Sequence, residues 1–180
     1  MMMKFVRTAM SRDRLKKLAE NIEALARKDQ ERIREARRID DLRRQAALEL
    51  HSICAGFVAS VNEMLDHIRL EFAPSGFSVE AFQDPGANVF LINAAGRVLH
   101  IEFRSTDALT STEKFRAPYI LEGVIRCFNQ DMLDRTVIPE MHLFHCFDRD
   151  RCFWIVFDPR THRTAAFDPE YLITLMERLV

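Results

Sequence analysis

The sequence predicts an α+β fold in which a long N-terminal helix leads into an antiparallel meander sheet of about six or seven strands, closed by a C-terminal helix. Between Ser11 and Phe72 there is no proline and a single glycine, and good helix formers dominate. From residue 77 onward apolar and polar residues alternate, which is the period of a half-buried strand. Short turns separate these strands and no helical crossovers intervene, so neighbouring strands are predicted to be antiparallel.

Charge divides the chain into two predicted parts. Residues 1–47 carry 14 Lys and Arg against 8 Asp and Glu, whereas residues 48–180 carry 12 against 19. We therefore predict a basic helical arm over 1–47 and an acidic globular domain over 48–180. Within the domain the pattern predicts a helix over 48–72, a sheet over 77–167 and a closing helix over 169–180.

The two halves of the long helix differ in their apolar faces. In the first half, Leu15, Leu18, Ile22 and Leu25 keep the alternating three- and four-residue spacing of a coiled-coil seam. The seam then meets Asp29 and Arg32, and apolar residues resume at Ile33, Ala36 and Ile39. The second half has a broad apolar face around Leu50, Phe57 and Val61, which predicts packing on a sheet. Gly56 within it suggests close backbone contact. A continuous helix and a helical hairpin both fit this pattern.

Several segments after residue 76 have the pattern of strands joined by short turns. "FSVEAF" alternates, and "NVFLINAAGRVLHIEF" predicts a hairpin that turns at Ala95-Gly96. "RAPYILEGVIRCF" predicts the next strand, and "MHLFHCF" and "RCFWIVF" predict a second hairpin. Asp168-Pro169 is typical of a helix N-cap followed by proline at the first helical position.

The stretch "HLFHCFDRDRCFWIVF" contains two histidines and two cysteines, and it therefore raises the question of a metal site. With Arg149-Asp150 as the turn, Cys146 lies opposite Phe153 and His145 opposite Trp154. His142 and His145 then point to opposite faces of the sheet, as do Cys146 and Cys152. Three ligands do not converge in this register, so we predict a plain hairpin without a metal. A slip by one residue would instead bring the two cysteines together.

A second pattern offers a candidate ligand site. Along the strand "VLHIEFR", His100, Glu102 and Arg104 point to one face, and on the next predicted strand Glu122 and Arg126 are also separated by an even number of residues. On neighbouring strands these five groups would share one face of the sheet. Such a cluster is able to bind a small anion or to support acid–base chemistry. The alternative is a solvated face held by cross-strand ion pairs.

Function is predicted mainly by exclusion. The chain has no nucleophile-elbow, phosphate-loop or zinc-protease motif, and its five glycines do not form a dinucleotide-binding fingerprint. The leading hypothesis is a non-enzymatic assembly or adaptor module that self-associates, or binds a protein partner, through Leu15, Leu18, Ile22 and Leu25. The second is a small-anion-binding protein or enzyme that uses the His100/Glu102/Arg104 face. The third is nucleic-acid binding by the basic arm, against which stand interleaved acidic residues and a lack of aromatics.

The same composition sets expectations for location and cofactors. No apolar run reaches the roughly 18 residues of a membrane span, and the first residues lack the apolar core of a secretory signal. The spacing of Cys54, Cys127, Cys146 and Cys152 matches no zinc module. We therefore expect a cytoplasmic protein with reduced cysteines, no cofactor and no membrane contact.

Overall fold

The computed structural model describes residues 12–111, 117–129, 138–148 and 151–180, and it confirms the predicted fold class. The helices are α1 (Arg12–Asn62) and α2 (Pro169–Leu179). The strands form one antiparallel sheet whose spatial order is the chain order. They are β1 (Glu71–Ala73), β2 (Asn88–Ala94), β3 (Arg97–Thr110), β4 (Tyr119–Phe128), β5 (Glu140–Asp148), β6 (Arg151–Asp158) and β7 (Arg163–Ala166).

The chain divides after Asp40 into two compact units. The first unit contains the described helical residues 12–40. The second unit contains the rest of α1, the sheet and α2. The boundary predicted from the sequence lies slightly further along, after Ala47. Helix α1 is continuous through both positions, so of the two arrangements left open by the sequence the structure shows the single helix rather than the hairpin.

The core of the second unit lies between one face of the sheet and the two helices. Alternate strand residues are buried on this face, because the pleat points every second side chain the same way. The Trp154 indole Nε1 donates to the Ala46 carbonyl at 3.0 Å, and the His51 ring packs edge-on against Phe90. Helix α2 packs on the same face. Buried members of this core include Leu50, Cys54, Phe90, Ile92, Leu99, Ile101, Phe103, Ile125, Leu143, Trp154, Val156, Leu172, Leu175 and Leu179.

A charged side chain, Arg43, is buried where α1 meets the sheet. The pairing of β3 with β4 shifts register between Ser105 and Thr110. There the Arg43 guanidinium donates to the Ile120 carbonyl at 3.2 Å and to the Thr106 carbonyl, and it lies 3.8 Å from an Asp84 carboxylate oxygen. Carbonyls at an irregular part of a sheet need donors when they are buried. Arg43 supplies them and thereby fixes the helix to the strands.

The predicted helix over 48–72 is wrong at its C-terminal end. Helix α1 ends at Asn62, and Phe72 belongs to β1. The Asn62 side chain accepts from the Leu70 N–H at 2.7 Å and donates to the Leu70 carbonyl at 3.0 Å, which closes the connection. The Phe72 ring then packs against His51 and Phe90. These tertiary contacts outweigh the helical propensity of the segment.

Two further local predictions are wrong. The "FSVEAF" segment contains a turn of 3-10 helix over Val79–Ala81 instead of a strand. Arg44 holds that turn by donating to the Val79 carbonyl at 2.8 Å, and its guanidinium lies over the Phe82 ring. Gly56 makes no close backbone contact, since a side chain added there would meet no atom within 4 Å.

The predicted turn at Ala95-Gly96 and the predicted start of the C-terminal helix are confirmed. The β2–β3 hairpin turns at Ala95 and Gly96, both with positive φ, which suits a tight two-residue turn. Asp168 caps α2 by accepting from the Tyr171 N–H at 2.9 Å, and Pro169 follows it at the first position. Turn chemistry and capping are local, so the sequence predicts them reliably.

Candidate functional site

The five predicted ligand-site residues lie together on the sheet face opposite the core. Strands β3 and β4 are neighbours, with His100 opposite Arg126 and Arg104 opposite Glu122. Glu102 lies between the two pairs on the same side of β3. The residues that alternate with them, such as Ile101 and Phe103, are buried in the core. The face therefore has the composition that the alternating pattern predicted, and we call these residues the charged face.

The charged face is held by cross-strand ion pairs. Arg104 donates to Glu122 at 3.0 Å. Arg126 bridges Glu102 at 3.2 Å and Glu140 at 3.0 Å. Sequence reasoning missed Glu140, the first residue of β5. The even spacing of Glu140 and His142 could have identified Glu140, because residues two apart on a strand point to the same face of the sheet. With two arginines and three glutamates, the fixed charges of this cluster sum to −1.

A cleft of about 360 Å³ opens on this face between β3, β4 and β5. Gly123 and Val124 line it together with the charged residues, and His142 and Phe144 complete the wall on β5. Both guanidinium groups in the cleft already bond to carboxylates. An anion would therefore have to displace a glutamate, so the geometry favours the ion-pair alternative over the anion site. The mixed charge of the cleft also suits a solvated face held by ion pairs.

His100 lies at one end of the charged face, with its ring edge-on to Phe128. Burial lowers the pKa of His100 from its usual value; Glu102 opposes this shift, and the Arg126 charge adds to it. The ring Nδ1 is buried and has no hydrogen-bond partner among the described residues. His100 is therefore neutral at pH 7 and does not add to the positive charge available to a ligand.

Replacing Arg104 tests the two interpretations of the charged face. We expect Arg104→Gln to change the free energy of unfolding by less than about 1 kcal/mol, because the Arg104 side chain is 69% exposed and its ion pair is screened by water. Thermal melting in phosphate provides the check. A rise in melting temperature at millimolar phosphate that disappears in Arg104→Gln, but persists in the control Arg97→Gln on the same strand, would instead support an anion site.

The β5–β6 hairpin has the predicted register. His145 lies opposite Trp154, and Cys146 opposite Phe153, while Cys152 lies opposite Phe147. The turn residues 149–150 lie outside the described residues. Within the described ranges, no group of three or more His, Cys, Asp and Glu side chains is placed to hold a metal ion. Absence of a bound metal stays a prediction.

His145 is a core residue. It is 1% exposed, and its ring meets the Trp154 indole edge-on at 4.9 Å between centroids. Neither ring nitrogen has a hydrogen-bond partner in the described part of the chain, and the nearest carboxylate oxygen, on Glu49, is 3.9 Å from Nε2. Burial lowers the pKa of His145 to about 4, so the ring is neutral at pH 7 and packs as an aromatic residue.

The helical seam of the first unit is exposed. We use this name for Leu15, Leu18, Ile22, Leu25, Asp29, Arg32, Ala36 and Ile39. The first four members retain from 43% to 61% of their full accessibility, and Ile33 beside the seam retains 54%. An apolar stripe at regular helical spacing normally faces the core of a folded protein. Because this stripe is exposed, it is a candidate protein–protein interface.

Other surfaces of the same helical unit are charged and solvated. Arg27 pairs with Glu23, and Arg38 with Glu35, each at 3.9 Å, and all four side chains are more than half exposed. Acidic partners therefore neutralise part of the basic charge that nucleic-acid binding would need. Binding of nucleic acid stays a prediction of the sequence.

Comparison of the chain with protein-family models, with curated proteins and with solved structures finds no match. Among the described helices, none combines the length and the apolar character that crossing a membrane would require. Function is therefore inferred from the two surfaces described above, the helical seam and the charged face.

Proposed function

We propose that this protein is a non-enzymatic assembly module that associates with a second copy of itself through the helical seam. The observation that supports this proposal is the exposure of Leu15, Leu18, Ile22 and Leu25 along one stripe of a continuous helix. The charged face offers no comparable support for catalysis, because its arginines are engaged by glutamates.

The energetic argument follows from the size of the exposed side chains. Full burial of a Leu or Ile side chain stabilises a structure by about 1.5–3 kcal/mol. When two helices pair, several such side chains on each helix are partly buried. The free energy gained by this burial outweighs the cost of association at micromolar concentration. A helix of 29 residues between Arg12 and Asp40 is also long enough to form a coiled-coil interface over several turns.

Light scattering on the full chain tests the proposal. We expect the wild type to have the molar mass of a dimer at tens of micromolar, and the double variant Ile22→Glu/Leu25→Glu to have that of a monomer, because it buries four carboxylates per dimer. The matched control is Ala24→Glu/Gln30→Glu, which adds the same charge on other faces of the helix and should remain dimeric. A monomeric wild type, or a dimer that persists in the seam variant, would refute self-association through the seam.

The cytoplasmic location predicted from the cysteines forms part of the same proposal. All four cysteines are free thiols, and burial raises the pKa of Cys54 and of Cys146 to about 12. Thiols of such high pKa are poor nucleophiles. Cys54 and Cys146 are consistent with a protein that works in a reducing compartment and uses these two buried thiols as apolar core residues.

A further inference from the structure

We propose that His145 is a pH-sensitive switch at the junction of α1 with the sheet, where protonation of its ring releases the helix from β5 and β6. The switch does not depend on the proposed self-association. The observation that carries it is an enclosed ionisable ring without a hydrogen bond. His145 is 1% exposed, and neither ring nitrogen has a partner among the residues that the structure describes. Buried polar side chains normally have such a partner.

The His145 ring lies among the residues that hold α1 to the sheet. On β6, Trp154 meets the ring edge-on, and the Trp154 indole Nε1 donates to the Ala46 carbonyl of α1 at 3.0 Å. About one turn further along α1, a Glu49 carboxylate oxygen lies 3.9 Å from the His145 Nε2. Ala46 and Trp154 are both buried. A change in the charge of His145 therefore acts directly on the contact between helix and sheet.

A neutral ring suits this position, whereas a charged ring does not. The neutral imidazole packs as an aromatic group against Trp154. Protonation makes both ring nitrogens donors and adds a positive charge in a site without an acceptor for either N–H. Movement of α1 away from β5 and β6 would admit water to the ring and solvate this charge. Protonation therefore favours the state in which the junction is open.

The charged groups around the ring do not offset this cost. Within the described ranges, Glu49 is the only carboxylate within 4 Å of a His145 ring nitrogen, and its side chain is 53% exposed, so water screens its attraction. On the same helix, Arg43 places its guanidinium on the carbonyl that precedes Leu121, and its positive charge opposes a second one. The residues that pair with His145 across the sheet, Leu121 on β4 and Trp154 on β6, carry no ionisable group.

The direction of the pKa shift defines the pH window of the switch. Burial lowers the pKa of His145 from 6.5 to about 4. The unfolded chain therefore gains a proton as the pH falls through 6.5, whereas the folded chain resists protonation until about pH 4, so acid lowers stability over this interval. From this residue alone, the ratio of folded to unfolded protein should fall about twentyfold between about pH 7 and about pH 5.

Urea unfolding of the full chain tests the switch, followed by the fluorescence of Trp154, the only tryptophan in the sequence. The wild type is compared with His145→Phe, which keeps a ring, and with His145→Leu, in case the larger Phe ring does not fit. Each protein is measured at about pH 7 and about pH 5 at one fixed concentration, so a constant packing cost cancels. The wild type should lose about twentyfold more of its folding equilibrium constant than either variant. The matched control is His67→Asn, which removes an exposed histidine and should keep the wild-type loss.

Proton NMR of the histidine rings in the folded wild type gives a second readout that does not require a stable variant at low pH. The His145 signal is assigned as the one missing from His145→Phe, or from His145→Leu, at pH 7, and its titration midpoint should lie near pH 4. A ring that titrates at pH 6.5 or above would overturn the switch, as would an equal acid loss in the wild type and in both His145 variants. An acid loss that disappears in these variants and persists in His67→Asn supports it.

Discussion

Gly123→Ala is expected to lower the free energy of unfolding by about 2–3 kcal/mol, although it adds only one methyl group. Gly123 lies in β4 opposite Phe103 of β3 and Leu143 of β5. A Cβ atom at this position would overlap the Glu102 carbonyl oxygen and would lie 2.8 Å from the Phe103 Cβ. Both contacts are closer than van der Waals contact, and the first involves backbone. Strand β3 would have to move away, which strains the centre of the sheet.

Urea unfolding at one fixed protein concentration provides the measurement, because the proposed self-association would make stability depend on concentration. Gly56→Ala is the matched control, since Gly56 is an exposed helical residue with no atom within 4 Å of an added Cβ. It should stabilise the protein by up to about 1 kcal/mol through helix propensity alone. A Gly123→Ala variant as stable as the wild type would show that β3 and β4 are further apart than described here.

Arg43→Met is expected to destabilise the second unit by about 3 kcal/mol. Methionine keeps the length and helical propensity of the side chain but removes the donors that Arg43 supplies to the Ile120 and Thr106 carbonyls. The Thr106 hydroxyl still donates to the Ile120 carbonyl at 3.1 Å, but Asp84 loses the positive charge that lies 3.8 Å away. The cost comes from buried backbone carbonyls that lose a charged donor and from a carboxylate that loses its countercharge.

The adjacent Arg44→Met provides the comparison for this prediction. Arg44 is half-buried and makes one hydrogen bond to a backbone carbonyl, that of Val79. Its loss should cost about 1 kcal/mol, because water is able to replace the missing donor. Equal effects of the two variants in urea unfolding would mean that the Arg43 site is also open to water.

The sequence predicted those parts of the fold that depend on local pattern. Alternation along β3 identified which side chains share a face, and the Asp168-Pro169 pair located the start of α2. Prediction from the sequence failed where residues distant in the chain determine the local structure. The end of α1 depends on Asn62 bonding to Leu70, and the turn at Val79 depends on Arg44. Neither contact is visible as a period or a motif.

In the candidate site, too, the features that depend on local spacing were predicted and those that depend on distant residues were not. The composition of the charged face followed from even spacing along two strands, but its ion pairs needed the strand order and the register. Glu140 was missed because its even spacing from His142 shows only which face it shares, whereas its place beside Arg126 depends on the register between β4 and β5. Arg43 was missed as well, since an arginine in a basic helix is normally solvated, and its burial depends on carbonyls from a distant part of the chain.

The meander order of the sheet has a consequence for the time course of synthesis. Each strand pairs with the next one along the chain, so the sheet grows from short loops that close quickly. Helix α1 differs, since the Ala46 carbonyl meets its Trp154 donor across 108 positions of sequence. On the ribosome, the part of the α1 face around Ala46 is therefore made long before its partner on β6, whereas the part around His51 meets β1 and β2 much earlier. Until β6 is made, the part around Ala46 is open to chaperones and to neighbouring nascent chains, and it is exposed to misassembly during that interval.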